Sequence, residues 1–217
     1  MYSVIILAAG TGSRMGLGYN KILYPLAGKP VIVHTVQSFK NDPACHEIVV
    51  VTNDKETLTQ WLPDVKIVEG GKERQDSVYQ GLLATTSETV LVHDGARPFV
   101  TLEMIQNLLA KTLEGGAAIL GVPVKDTIKR VQNGKVLETL ERQELYACQT
   151  PQAAPRELLL KAHKQAQKDG FLGTDEASLI EKYTDTTVHL VEGSYTNIKL
   201  TTPEDLLLAE RLLQEAQ

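Results

Sequence analysis

The sequence predicts an α/β fold built on a doubly wound, mostly parallel sheet. Three features carry that expectation. Short, near-continuous apolar runs recur along the chain, amphipathic helix-like stretches separate them, and a glycine-rich turn follows directly on the first run. Strands without polar alternation are buried on both faces, as in a parallel sheet. Their alternation with helices is the pattern of βαβ units.

Each element has its own local warrant. The first strand covers residues 4–7, a β-branched run stopped by Ala8-Ala9-Gly10. Residues 47–52, 66–68, 89–93 and 116–122 supply the next four strands. Helices are expected over 30–39, where Pro30 suits a first helical position, and over 77–84, 101–113 and 155–168. The last helix opens at Thr202-Pro203-Glu204-Asp205: an N-cap, a proline at the first position and acids in the first turn. One segment breaks the alternation. Residues 127–131 and 135–140 flank Asn133-Gly134, the signature of a β-hairpin. A lone two-stranded ribbon is marginal in water. The arm, spanning about residues 125–147, is therefore expected to pack on something else, a partner subunit being the natural candidate.

Composition narrows the function classes. With 217 residues, 42% of them hydrophobic, the chain suits a single domain over 1–217 with a full core. A net charge of −5 disfavours a non-specific nucleic-acid binder. The N-terminus lacks a basic region and a small-residue cleavage site, and no apolar stretch approaches the roughly 20 residues that span a bilayer. A cytoplasmic protein without a membrane segment is the expectation. Cys45 and Cys148 are too few for a disulfide framework or a metal cluster.

The turn after the first strand reads Leu7-Ala8-Ala9-Gly10-Thr11-Gly12-Ser13-Arg14-Met15-Gly16. Small residues let backbone N–H groups approach phosphate oxygens closely. Two familiar phosphate loops fail here. A dinucleotide fingerprint needs a glycine where Met15 stands, and no Gly-Lys-Ser/Thr triplet follows Gly10. What the loop does hold is Arg14 and, seven residues later, Lys21. Nucleotidyl transfer builds negative charge around the α-phosphorus, and fixed cations with Mg²⁺ are what that chemistry requires.

With Lys21, this loop resembles that of the sugar-phosphate nucleotidyltransferases. Six further segments narrow the resemblance: Gly70-Gly71-Lys72-Glu73-Arg74-Gln75-Asp76-Ser77-Val78, His93-Asp94-Gly95-Ala96-Arg97-Pro98-Phe99, Val122-Pro123-Val124-Lys125-Asp126-Thr127-Ile128-Lys129, Gln149-Thr150-Pro151-Gln152, Thr174-Asp175-Glu176-Ala177-Ser178, and Asn197-Ile198-Lys199-Leu200-Thr201-Thr202-Pro203-Glu204-Asp205. In this order they look like the 2-C-methyl-D-erythritol 4-phosphate cytidylyltransferase family, which adds the expectations of a Rossmann-like fold, CTP and an alditol phosphate as substrates, Mg²⁺, and a homodimer in which the hairpin arm embraces the partner.

The resemblance also implies roles. Arg14 and Lys21 match the cations that neutralise the triphosphate. Leu7, Ala8, Ala9, Gly10 and Gly12 match the cradle, and Gly70, Gly71, Asp76 and Ser77 match the pyrimidine-recognition segment. Asp94 matches the acidic residue at the metal and nucleotide site. Thr127, Arg142 and Lys199 match the residues that grip the alditol phosphate, with Arg142 and Lys199 orienting the nucleophile; Thr150 and Thr174 belong to the same group. Taken bare, Asp76-Ser77 reads as a helix N-cap and Lys199 as a strand-edge lysine. One departure stands out. The family often has proline before the loop lysine, where this chain has Asn20, which places the stiffness of the loop in question. Two rivals remain: a ribitol 5-phosphate cytidylyltransferase, against which Asp94-Gly95-Ala96-Arg97-Pro98 and Asp76-Ser77-Val78 lean, and a non-catalytic nucleotide sensor, which need not keep Arg14, Lys21, Asp94 and Lys199 together.

Overall fold

A computed structural model describes residues 1–10 and 19–215. Its elements run β1 (Tyr2–Leu7), the short pair β2 (Pro25–Leu26) and β3 (Lys29–Pro30), α1 (Val31–Lys40), β4 (Cys45–Thr52), α2 (Lys55–Trp61), β5 (Lys66–Glu69), α3 (Arg74–Ala84), β6 (Thr89–Asp94), α4 (Leu102–Gly115), β7 (Ala117–Pro123), β8 (Lys129–Gln132), β9 (Lys135–Thr139), β10 (Tyr146–Pro155), α5 (Arg156–Asp169), α6 (Glu176–Tyr183), β11 (Val188–Glu192) and α7 (Pro203–Glu215). The five strands and five helices expected from the sequence all form. Their ends shift by up to three residues: α3 begins at Arg74, three before the expected start.

Seven strands make one sheet in the order β11-β7-β10-β6-β1-β4-β5. Every pairing is parallel except the two made by β10, which runs antiparallel between β6 and β7. The sheet is thus mostly parallel, as expected. Successive side chains of β1 enter opposite layers. Val4 and Ile6 pack with Ile32 and Phe39 of α1, Ile105 and Leu108 of α4, and Leu206 of α7. Ile5 packs with Val78 and Leu82 of α3, Leu159 of α5 and Ile180 of α6. Helices therefore cover both faces, which is why β1 and β6 read as unbroken apolar runs.

β10, α2, α6 and β11 are absent from the sequence-based outline. Tyr-Ala-Cys-Gln-Thr-Pro-Gln-Ala-Ala-Pro is poor in β-branched residues, and a proline argues against a central strand. The strand accommodates Pro151 because its register against β7 jumps between Gln149 and Gln152, a bulge in which Pro151 has no N–H to contribute.

The topology also sets the site. From β1 the chain winds outward through β4 and β5, then crosses back to lay β6 on the other side of β1. Ligands of open α/β sheets bind at such a reversal, beyond the C-terminal strand ends. Here those ends are Leu7 and Asp94, neighbours in the β1–β6 register.

The hairpin β8–β9 stands clear of this sheet, with every residue of both strands exposed. Asn133 and Gly134 both have positive φ, 49° and 74°, as a tight hairpin turn of matching twist requires. Val131, Val136 and Leu137 are each about half or more exposed, so the arm has no core of its own in one chain.

Candidate active site

A cavity of about 430 Å³ opens at the β1–β6 reversal. Its walls bring together Leu7 at the end of β1 with Ala8, Ala9 and Gly10 after it, Gly71 before α3 and Ser77 in the first turn of α3, Asp94 from the end of β6, Lys21 from a short turn and Lys199 from a loop. These residues lie far apart in sequence, and each was expected at a nucleotide or substrate site. Arg14 and Gly12 lie outside the described residues.

The two glycine segments press together. A Cβ on Gly70 would stand 2.7 Å from both Ala9 Cβ and Asn53 Oδ1, so only glycine fits there. The backbone N–H of Gly71 donates to Ser77 Oγ (3.1 Å), whose hydroxyl donates to Glu73 O (3.2 Å). With its proton committed, Ser77 has acceptor capacity alone left for a ligand. Asp76 is not the N-cap suggested by bare sequence. Glu73 is the cap, and Asp76, two residues further into the helix than Arg74, accepts the Glu73 N–H at 3.1 Å.

Lys21 sits on a 3-10 turn, Lys21–Leu23. Asn20 holds that turn on both sides: its Nδ2 donates to Ala8 O (2.9 Å), and its Oδ1 accepts from Ile22 N (3.3 Å). Its φ of −66° is also the value a proline ring imposes. Two hydrogen bonds here do what the ring constraint does, and the asparagine does not leave the turn untethered.

Asp94 is the electrostatic centre. Its carboxylate lies 2.9 Å from Lys199 Nζ, 3.5 Å from Arg97 Nε and 3.8 Å from Arg74 Nη2. Burial alone would favour the protonated acid, but Lys199 and then Arg74 outweigh it and hold the carboxyl at about 2. Its backbone is fixed from behind. Asp94 N–H donates to Thr150 Oγ1 (3.0 Å), and the Thr150 hydroxyl meets His93 Nδ1 at 3.0 Å. His93 Nε2 contacts Arg97 O at 3.0 Å. Desolvation holds the fully buried His93 down at about 4, so the ring is neutral. A neutral ring that donates from Nε2 to a carbonyl must accept at Nδ1, which makes Thr150 the donor there. His93 and Thr150 are thus buried struts; neither lines the cavity.

Thr127, Arg142 and Thr174 do not reach this pocket within one chain. All three are exposed, and Arg142 Nη1 donates to Lys125 O (3.0 Å) at the root of the hairpin. Two residues given no role by the sequence reading belong to the site. Arg74 lines the cavity, and its guanidinium is gripped by Glu176, Nη1 to Oε1 at 2.8 Å and Nη2 to Oε2 at 3.1 Å. Both lie inside segments that carried the resemblance. A glutamate on an otherwise apolar helix face was the available signal, since Glu176 is buried with Ala177, Leu179 and Ile180.

A glycine-flanked cradle at the reversal point of a doubly wound sheet, ringed by cations around one ionised carboxylate, defines a nucleotide-handling α/β enzyme. The sequence model of the 2-C-methyl-D-erythritol 4-phosphate cytidylyltransferase family matches residues 2–215. The chain belongs to that family. Proteins of that name from Bacillus mycoides and Bacillus licheniformis are 52% and 50% identical to it, over 98% of this chain and 98% and 96% of theirs. Among solved structures it is similar to 4-diphosphocytidyl-2C-methyl-D-erythritol synthase from Anaerococcus prevotii, with TM-score 0.88 and 31% identity over 99% of this chain and 98% of that one. The Francisella tularensis 2-C-methyl-D-erythritol 4-phosphate cytidylyltransferase gives TM-score 0.84 and 33% identity over 97% and 98%.

Proposed function

We propose that the protein transfers the cytidylyl group of CTP to 2-C-methyl-D-erythritol 4-phosphate, releasing pyrophosphate. The observation that carries this reading is the convergence of Lys21, Arg74 and Lys199 with Asp94 on one cavity between the two glycine segments. A phosphate oxygen of the alditol phosphate attacks the α-phosphorus of CTP. The new P–O bond forms as the bond to the bridging oxygen of the β-phosphate breaks, and pyrophosphate leaves with that electron pair. The attacking phosphate is already an anion at neutral pH, so no general base is needed and no covalent enzyme intermediate is invoked. Positioning and fixed charge carry the rate. Lys21, with Arg14 from the same loop, offsets the charge that grows at the α-phosphorus. Lys199 holds the incoming phosphate. Ser77 and the Gly70-Gly71 backbone face the cytosine edge, where Ser77 accepts from the amino group.

Asp94, an ionised carboxylate on the cavity wall, would hold Mg²⁺ together with phosphate oxygens, the usual habit of Mg²⁺ at nucleotide sites. When bound it supplies Lewis-acid neutralisation of the triphosphate. The exposed arm, and a pocket wall that includes neither Thr127 nor Arg142, support a homodimer whose partner supplies these residues. No helix among the described residues is long and apolar enough to cross a membrane, which fits a cytoplasmic site of action. Offering methylerythritol phosphate and ribitol 5-phosphate separately with CTP, and following pyrophosphate, tests the reading. Turnover of ribitol phosphate alone would overturn it.

A further inference from the structure

The bulge of β10 places buried polar side chains where two apolar layers need none. Gln149, Thr150 and Gln152 are 7%, 5% and 3% exposed. Buried amides must find partners, and Gln149 finds them on the loop after β11 while Gln152 finds them at the start of α6. Gln149 Nε2 donates to Ser194 O (2.7 Å), and its Oε1 accepts from Ser194 N (3.4 Å) and Asn197 Nδ2 (3.3 Å). The same Asn197 amide donates to Thr150 O (3.0 Å). Two residues further along that loop stands Lys199. Gln152 faces the other way. Its Nε2 donates to Asp175 Oδ2 (2.8 Å), and its Oε1 accepts from Ala177 N (3.0 Å). These two bonds bracket Glu176, the residue that grips Arg74.

We infer that Gln149 and Gln152 are positioning residues that divide the active site between them: Gln149 sets Lys199 on the acceptor side, and Gln152, through Glu176, sets Arg74 on the nucleotide side. One four-residue irregularity in the antiparallel strand thereby registers both substrates against Asp94, which Thr150 holds from the middle of the same bulge. Gln149 and Gln152, three residues apart, turn to opposite faces as strand alternation dictates. Thr150 and Pro151 are the two residues inserted between the partners of Leu120 and Ile119, and from that bulge Thr150 meets the Asp94 amide.

The inference rests on the proposed reaction, and the test separates the two. Wild-type enzyme assayed with CTP and methylerythritol phosphate comes first; no turnover there removes the reaction, whatever the glutamines do. Gln149→Met and Gln152→Met keep side-chain length and remove both hydrogen-bonding atoms. Gln149→Met is expected to raise KM for the alditol phosphate about ten-fold while KM for CTP stays within about three-fold. Gln152→Met is expected to do the reverse, by similar factors. A merely structural role lowers the melting temperature and moves both constants together, or neither; either result overturns the inference, as does an exchange of the two patterns. Should the methionine variants fail to fold, Gln149→Glu, which drops the Ser194 O bond and keeps the acceptor, and Glu176→Gln, which weakens the grip on Arg74, read out the same split.

Discussion

Both terminal nitrogens of Arg74 are held by the two carboxylate oxygens of Glu176, at 2.8 and 3.1 Å, on the wall of the cavity at the β1–β6 reversal. Planar, bidentate pairing fixes the guanidinium in orientation as well as position. Arg74→Met leaves the Glu176 side chain, 3% exposed, without its counter-charge. Stripping a fully buried pair of one partner costs about 3–5 kcal/mol, and since Arg74 keeps a third of its side chain in solvent, a loss of about 2 kcal/mol is expected in urea unfolding. The double variant Arg74→Met, Glu176→Leu should recover most of that stability while CTP binding, followed by calorimetry, stays weak. Recovery of CTP affinity in the double variant would show that Arg74 serves the fold alone.

The contrast between Lys21 and Arg74 shows where sequence reading reached and where it stopped. The runs that became β1 and β6 were legible because a strand covered on both faces has no choice of composition. Asp94 was legible because it ends such a run. β10 was not, because its residues are dictated by what its side chains must reach rather than by strand propensity. Glu176 and Arg74 are 102 positions apart, and although a glutamate on an apolar helix face marks Glu176, nothing local in its segment names Arg74 as the partner. The departure at Asn20 was visible in sequence, but its consequence needed coordinates, because a hydrogen bond from Asn20 to Ala8 O joins two positions twelve residues apart.

Lys21 is the described cation on the loop that follows β1, and the proposed transition state needs it most as charge builds at the α-phosphorus. Lys21→Ala is expected to lower kcat by about 10²–10³-fold, the usual effect of removing one preorganised charge or donor from a transition state. Far-UV circular dichroism and the melting temperature should stay at their wild-type values. Undiminished turnover would remove Lys21 from the mechanism.

His163 carries an acid-sensitive part of the stability. It is fully buried on α5, stacked on Tyr79 with ring centroids 6.2 Å apart, and neither ring nitrogen has a partner among the described residues. Desolvation, reinforced by Arg74 and opposed by Asp76, holds it at about 4. The unfolded chain takes up this proton near pH 6.5 and the folded chain only near 4. Between those values the unfolded state binds more protons, so stability is complete above pH 6.5 and falls as pH drops towards 4. His163→Leu removes the titrating group at little cost in volume and should flatten melting temperature against pH across that window. An unchanged slope would assign the acid sensitivity elsewhere.

The hairpin predicts an oligomer. Val131, Val136 and Leu137 are 54%, 62% and 49% exposed on a ribbon with no core of its own. Two-stranded ribbons need a surface to pack on, and in the proposed homodimer a second copy of the chain would supply one. Wild-type protein is expected to elute as a dimer by light scattering, and Val136→Asp, which puts a charge into that contact, should shift it towards monomer with loss of turnover. A wild-type monomer would remove the partner's contribution of Thr127 and Arg142 to the site.

Asn20 tests whether the loop needs a particular residue or only a particular shape. Its backbone sits at φ −66° and ψ 124°, and its side chain ties Ala8 O to the amide of Ile22. Asn20→Ala loses both ties and gains backbone freedom, so Lys21 samples a wider volume and kcat should fall about ten-fold, since small misplacements of a catalytic group are costly. Asn20→Pro also loses both ties but locks φ near −65°, the value the chain already adopts. It should keep kcat within about three-fold of wild type. If both variants lose activity equally, the hydrogen bond to Ala8 matters in its own right, by holding the end of β1 in the form that receives the nucleotide. If neither does, the lysine needs no help from its neighbour, and its position is set by the turn from Lys21 to Leu23 alone.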